Sequence, residues 1–482
     1  MKTIKFRLKN MMLAPAILLA MTFIAGDLFA TDGYFSMGQG TKNKGFAGAG
    51  IAFLHSPYSG AINPAGIGFI GKKFSFEVSV GLFNPNRKYT VIGDPTPPQN
   101  WPYEGRQMLL GLTPGTIESE SSTFIIPAIA FTYKLGEKNV LGLNFYGNGG
   151  MNTDYPTKTY YSEIINSFGN PMPNGFPNPM ANVSQPTGVN ITQMFLSLTY
   201  ARQIGEKHSL GISPVFAYQT FEAKGLEAFR DMGSAGMPGM PVDRSAYVTN
   251  NGSVSSTGIG FKIGYQGELF SGFRLGAAFQ PKIKMSKFDE YKGLFAEEGG
   301  FDIPANWTAG VSYDFTENIT VLFDVKQIMY SQVKSIANPM IASQMMPMVP
   351  NPEMTSPQDA FIPNPNFVPL GDENGAGFGW EDMLIFKVGA EFRQVENWQF
   401  RLGYSYGKQP IQESEVMFNM LAPAVNENHI SLGFTRMFGD HGLNFAITHA
   451  LENSVTGMNP FDPGQQIELS MNQWEFEIGF NF

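Results

Sequence analysis

The chain is 482 residues long, with 15% charged residues, 13% aromatics, 54 Gly, 33 Pro, no Cys and a formal net charge of −9. So few charges, against roughly 25% in soluble globular proteins, disfavour a string of soluble domains, and an acidic chain without a basic tract beyond its N-terminus does not neutralise nucleic-acid phosphates. Without cysteine there are no disulfides, thiolate metal ligands or cysteine nucleophiles.

Residues 1–30 read as an export signal peptide. Lys2, Lys5, Arg7 and Lys9 form a basic start, Met11 to Ala25 an apolar stretch, and Asp27-Leu28-Phe29-Ala30 ends on a small residue where cleavage is expected. Pro15 interrupts the stretch, and beyond residue 30 no apolar run approaches the ~18 residues of a membrane helix. Residues 31–71 are rich in Gly and Ala and alternate poorly.

From residue 72 to 482 the pattern changes to alternation. Ile259, Phe261, Ile263 and Tyr265 alternate with Gly260, Lys262, Gly264 and Gln266; Phe400, Leu402, Tyr404 and Tyr406 alternate with Arg401, Gly403, Ser405 and Gly407. Trp307 to Phe315 behaves likewise, and from Trp474 to Phe482 every even position is large and apolar. Period 2 with one oily and one wet face is the mark of a strand. A soluble sandwich alternates too, but seldom needs so many strands with Gly, Ser and Lys on the second face. Lipid outside and a polar lumen inside account for that face directly.

Short polar turns fall at 136–139, 205–208, 267–272, 316–318, 395–397 and 439–442. Longer Pro-, Asn- and Met-rich connections fall at 94–115, 151–190, 226–250, 291–303, 336–379, 411–424 and 454–468. These thirteen connections predict an all-β fold, a transmembrane antiparallel β-barrel of 14 strands. An even count with short turns at one end and long loops at the other belongs to bacterial outer-membrane barrels, and closure removes every open edge.

The segment from Gly33-Tyr34-Phe35-Ser36-Met37-Gly38-Gln39-Gly40 through Gly45-Phe46-Ala47-Gly48-Ala49-Gly50 to Asn63-Pro64-Ala65-Gly66 resembles the N-terminal hatch of the FadL-type outer-membrane transporter family (OMPP1/FadL/TodX). Asp302-Ile303-Pro304-Ala305-Asn306-Trp307 is similar to the family's Leu-Pro-x-x-Trp segment, and Asn397 to Gly403 and Pro423 to Gly433 to its late strands. The resemblance runs from about residue 32 to the end. It implies an N-terminal hatch plugging the barrel lumen in the outer membrane of a Gram-negative bacterium. It further implies that long-chain fatty acids or hydrocarbons are caught by the loops, enter an internal pocket, pass as the hatch moves, and leave sideways at a kink in the third strand. The implied partners are the hydrophobic substrate, outer-membrane lipids and the assembly machinery that reads the C-terminal strand; the protein is expected to be a monomer without a cofactor. One departure is His55-Ser56-Pro57, where an acidic residue is common in the family.

On that resemblance Asn63, Pro64 and Ala65 are the hatch candidates. The third strand spans about 140–150, and its end, Gly147-Asn148-Gly149-Gly150, offers Gly147, Gly149 and Gly150 as lateral-exit candidates. Gly weakens strand pairing and permits a bend, although a frayed strand end explains these glycines equally well. Parity puts Lys262, Arg274, Lys387, Arg393 and Arg401 on the lumen face as candidates for a ligand carboxylate, while lumen charges mostly pair with others such as Glu391, Glu475 and Glu477. Met237, Met240, Met345, Met346 and Met348 suit the lining of an apolar groove, with an inert loop as the alternative. A soft metal such as Cu(I) is disfavoured because no His or Cys adjoins them.

The stretch Gly66 to Lys73 nearly spells a phosphate loop, but Lys73 replaces the Ser/Thr and no buried strand precedes it. The five histidines show no metal spacing, and no catalytic residue is assigned. Two rivals remain: a general diffusion porin, and an outer-membrane hydrolase, for which only His449, near the start of the loop expected at 454–468, is suitably placed.

Overall fold

The computed structural model describes residues 32–53, 56–96, 111–167, 169–171, 178, 180–233, 243–353, 355 and 361–482. The export segment 1–30, and Met237 and Met240 with their tract, lie outside the described residues. The wall strands, in chain order, are β1 (Phe74–Ile92), β2 (Phe124–Lys134), β3 (Asn139–Tyr155), β4 (Thr187–Ile204), β5 (His208–Lys224), β6 (Val254–Phe270) and β7 (Phe273–Gln280). They continue with β8 (Asn306–Thr316), β9 (Ile319–Ile328), β10 (Met383–Phe392), β11 (Trp398–Gly407), β12 (Asn428–Phe438), β13 (His441–Asn459) and β14 (Asp462–Asn481). Each pairs antiparallel with the next, and β14 closes onto β1, with Glu77 opposite Asn481 and Ile92 opposite Gln466. A short segment, Gly115–Glu118, precedes β2 and pairs with the outer end of β1.

The side chains are distributed inside out. Ile259 is 78% exposed on the outer surface, with Leu198, Leu432 and Ile478 also exposed, whereas Gln219, Ser312 and Thr435 are fully buried. A water-soluble protein reverses that order; hydrocarbon around the wall and a polar interior produce it. At one end the hairpin turns span two to five residues. Four of them turn through left-handed positions, Gly205, Gly272, Asn397 and Gly439, at φ 68°, 76°, 62° and 62°, a conformation that Asn and Gly adopt at low cost.

The other end carries the long connections, with two corrections: β3 reaches Tyr155 and β4 begins at Thr187, so the loop expected at 151–190 spans 156–186. The loop expected at 454–468 is a two-residue turn, Pro460 and Phe461, because β13 reaches Asn459 and β14 begins at Asp462. Ser454, Val455 and Thr456 pair with Ser470, Leu469 and Glu468, beyond a bulge between Ala450 and Asn453. The one extra residue of that bulge breaks the alternation, so a period-2 search loses the strand there. The remaining outer connections pack on one another in a single apolar cluster that includes Tyr160, Phe229, Phe295, Trp380 and Met417.

Candidate functional site

The N-terminal segment threads the lumen and is fastened to the wall by polar groups that the barrel presents inward. It holds two single-turn helices, α1 (Thr41–Lys44) and α2 (Ser59–Ile62), then a 3₁₀ turn, Pro64–Phe69. Asp32 pairs with Lys326 on β9 at 2.8 Å and with Lys387 on β10 at 3.0 Å. Asp324 on β9 accepts the backbone N–H groups of Gly50 and Ile51 at 2.7 and 2.9 Å. Across the lumen the Lys44 ammonium sits between Glu475 and Glu477 of β14, with the Thr41 hydroxyl donating to Glu477 at 2.8 Å.

Asn63, Pro64 and Ala65 form another of these seats. Asn63 caps the 3₁₀ turn by accepting from Ala65 N–H at 3.1 Å, while its amide donates to Ile51 O and to Tyr265 O of β6, both at 2.9 Å. Pro64, whose fixed φ suits the first turn position, lies against wall backbone that lacks side chains. A Cβ at Gly264 would stand 2.0 Å from Asn63 Oδ1, and one at Gly211 2.3 Å from the Pro64 carbonyl carbon. Gly on the inner face of these strands is therefore where the hatch touches the wall.

The ladder between β2 and β3 is broken. Pairing runs from Lys134 opposite Val140 to Ile129 opposite Phe145 and stops there, while β3 continues to Tyr155 on β4. A bulge at Asn148 separates Gly147, opposite Met194, from Gly149, opposite Gln193. Gly147, Gly149 and Gly150 thus lie within a strand and not at a frayed end. In a membrane each backbone group freed by such a break needs a partner, and the hatch supplies several. Ser36 N–H donates to Asn148 O at 2.8 Å, Gly150 N–H to Tyr34 O at 2.9 Å, and the Gln39 amide to Gly147 O at 2.8 Å. At Gly149 the approach is so close that a Cβ would be 1.9 Å from Tyr34 O. Phe83, Phe124 and Ile126, with Met194 packed against them, form a separate apolar cluster beside the break.

The five basic candidates are engaged with the protein itself. Lys262 donates to Ala61 O at 2.6 Å, Lys387 to Asp32 and to Met37 O, and Arg401 to Glu391, Thr435 and Gln399, with its guanidinium over the Phe46 ring. Arg274 pairs with Asp314, and Arg393 with Glu391. Lys262 and Lys387 also line a cavity of about 70 Å³ between hatch and wall, whose lining mixes polar residues such as Asn43, Gln280 and Asp324 with apolar ones such as Phe35, Ile62 and Phe279. Met345 is buried in the loop cluster with Met346 packed against it, and Met348 is half-buried in a small ribbon, paired with Pro363. These three are packing residues of the loops rather than an open groove. His449 lies mid-strand and stacks on Trp474 at 3.9 Å between ring centroids, on the outer surface, so the hydrolase reading loses its histidine. Asp32, Asp324 and Lys326 were not among the sequence candidates; the parity rule applied to 319–328 places the latter two inside.

A closed antiparallel barrel with an oily exterior, a polar lumen and a plug hung from its wall is an outer-membrane channel of the plugged kind. The profile of the outer membrane protein transport protein family (OMPP1/FadL/TodX) matches residues 170–465, over half of the chain, and the protein belongs to that family. No curated protein matches the sequence. Among solved structures, the Pseudomonas putida toluene transporter TodX superposes with a TM-score of 0.60 at 16% identity, over 92% of this chain and 98% of that one. A Pseudomonas aeruginosa FadL homologue gives 0.60 at 16%, over 93% and 99%, and the Ralstonia pickettii toluene transporter TbuX 0.55 at 16%, over 92% and 98%. At such identity these structures speak for the shared fold.

Proposed function

We propose that this protein moves small hydrophobic molecules across the outer membrane of a Gram-negative bacterium. Ligand is caught among the outer loops, enters the lumen, displaces the N-terminal hatch at Asn63-Pro64-Ala65, and leaves sideways between β2 and β3. The observation that carries this reading is the broken ladder at Gly147–Gly150, whose backbone is completed by hatch residues Tyr34, Ser36 and Gln39. One movement of the hatch then frees both the lumen and the gap. A sideways route suits the ligand, because apolar surface passes from loops to bilayer without a long aqueous path.

Uncharged hydrocarbons fit better than fatty acids. Each of the five basic lumen residues is held by a protein partner, so binding a carboxylate would require breaking one of those contacts. Two of the similar structures, TodX and TbuX, are described as toluene transporters, which agrees with that preference. Outer-membrane lipids are the surroundings into which ligand is released, and the assembly machinery is the partner of β14.

The test is uptake of toluene, an alkane and a long-chain fatty acid by a deletion strain carrying the wild-type protein or Gly149→Trp. Toluene uptake restored by the wild type and abolished by Gly149→Trp, with the barrel still heat-modifiable, is the expected result. Unaltered uptake in Gly149→Trp would remove the lateral route, and equal uptake with and without the protein would remove the transport reading.

A further inference from the structure

Between β2 and β3 the hatch completes only part of the break. The outer part, above Gly150, is tied directly where Glu120 N–H donates to Asp154 O at 2.9 Å and Asp154 N–H to Ser119 Oγ at 3.0 Å, and below these contacts it is spanned by a wall residue, Arg87 of β1. Its side chain points inward and is buried, 4% exposed. One guanidinium nitrogen donates to Asn152 O on β3, and the other to Ser121 O in the link that leads into β2. The same group lies over the Phe124 ring, 5.6 Å from its centroid. A single side chain therefore reaches from one wall strand across the break to both of its margins. Its planar fork with donors on separate nitrogens suits two carbonyls on neighbouring segments.

Arg87 also stands between two spaces. On the lumen side is a cavity of about 30 Å³ lined by Phe83, Pro85, Met151 and Met471 with Arg87 itself. On the far side is a crevice of about 250 Å³ lined by Ser121, Asn152, Asp154 and Lys224. Asn152 lines both, and Asn152 and Ser121 are the residues whose carbonyls Arg87 holds. The apolar cluster of Phe83, Phe124, Ile126 and Met194 adjoins the same place.

The geometry points to Arg87 as the positioning residue that holds the outer margin of the gap closed and sets how wide a ligand the side route admits. This rests on the lateral-release reading for its functional half, while its structural half stands alone. The hatch governs whether the gap opens, and Arg87 how far. Only the hatch part moves with the plug; the Arg87 part belongs to the wall, and with Asn152 O and Ser121 O released the margin is left to the Glu120 and Ser119 contacts with Asp154 alone.

The experiment measures width and selectivity separately. Because the chain has no cysteine, spin labels can be placed at Thr123→Cys and Asn190→Cys across the outer margin. A control pair goes at Tyr133→Cys and Tyr200→Cys, flanking the part of β3 where the ladder is intact. Arg87→Met is expected to lengthen and broaden the first distance distribution and leave the control unchanged. It should also raise uptake of a bulky hydrocarbon severalfold relative to toluene. Arg87→Lys, which retains charge but not the two-carbonyl fork, should fall between, and serves if Arg87→Met fails to assemble. An unchanged distance across the margin in both variants overturns the assignment, whatever uptake does. A widened margin with unaltered size selectivity overturns its specificity role. A Gly149→Trp protein with normal uptake would instead overturn lateral release and leave the Arg87 distance result standing.

Discussion

At the scale of single residues, the hatch is held by charges whose partners lie far away in sequence. Lys44 is the clearest case: it is buried, and both of its partners, Glu475 and Glu477, are buried on β14. Removing one member of such a group leaves the rest uncompensated, which typically costs ~3–5 kcal/mol. Lys44→Met should therefore loosen the hatch by an amount of that order while the wall ladder, which does not include Lys44, still forms. Limited proteolysis of the purified protein should then cut near residues 40–50, with heat-modifiable mobility retained; resistance equal to wild type would show that the pair contributes little. Replacing Asn63 and Pro64 together by Ala acts at the opposite seat. It removes two donated hydrogen bonds and one accepted bond, each worth about 0.5–1.5 kcal/mol net. Altered toluene uptake with normal barrel mobility is expected, and wild-type uptake would argue that this seat does not move.

At the scale of elements, the alternation of strand faces made most of the wall legible in the sequence, and the failures have identifiable causes. Strands such as 400–407 and 474–482 follow one period throughout, since each face meets one environment. The outer half of β13 went unseen because its bulge shifts the period between Ala450 and Asn453. The tail of β3 was missed because Gly147 to Tyr155 leans on hatch and loops as well as on its neighbour, so nearly every side chain is buried and alternation vanishes. Parity found the lumen cations but could not pair them, because Asp32 meets Lys387 across 355 positions. Asn63-Pro64-Ala65 was legible through resemblance, whereas Arg87 carried no signal beyond its parity. Topology gives a prediction at this scale. Protease added to intact cells should cut within 156–186 or 329–382 and spare the turns at 205–207 and 393–397; the opposite pattern would invert the barrel. The C-terminal strand gives another. Phe482 caps β14 beside Phe76 and Phe480 and donates its N–H to Phe76 O at 2.9 Å. Deleting it should lower the folded fraction in outer membranes, and an undiminished yield would remove the terminal aromatic as an assembly signal.

For the whole molecule, two kinds of bonding coexist in one chain. The wall is a closed ladder in which every strand has two neighbours, interrupted over the outer part of β2 and β3, so away from that break it opens only when many backbone bonds fail together. The hatch, by contrast, hangs from scattered polar seats: Asp32 on Lys326 and Lys387, Gly50 and Ile51 on Asp324, Lys44 on Glu475 and Glu477, and Asn63 on Tyr265. Denaturant should therefore release the hatch well before the wall unfolds. In planar bilayers the native protein is expected to pass little steady current, since the hatch reaches strands on both sides of the lumen. Urea at concentrations that leave the barrel folded should then raise conductance in steps, and removing the urea should restore the closed level. Lys44→Met should shift the onset to lower urea, because one seat has already been lost. A large current from native protein without denaturant would favour a diffusion porin. A single transition in which conductance and heat-modifiable mobility change together would show that hatch and wall form one cooperative unit, which a hatch that moves during transport does not allow.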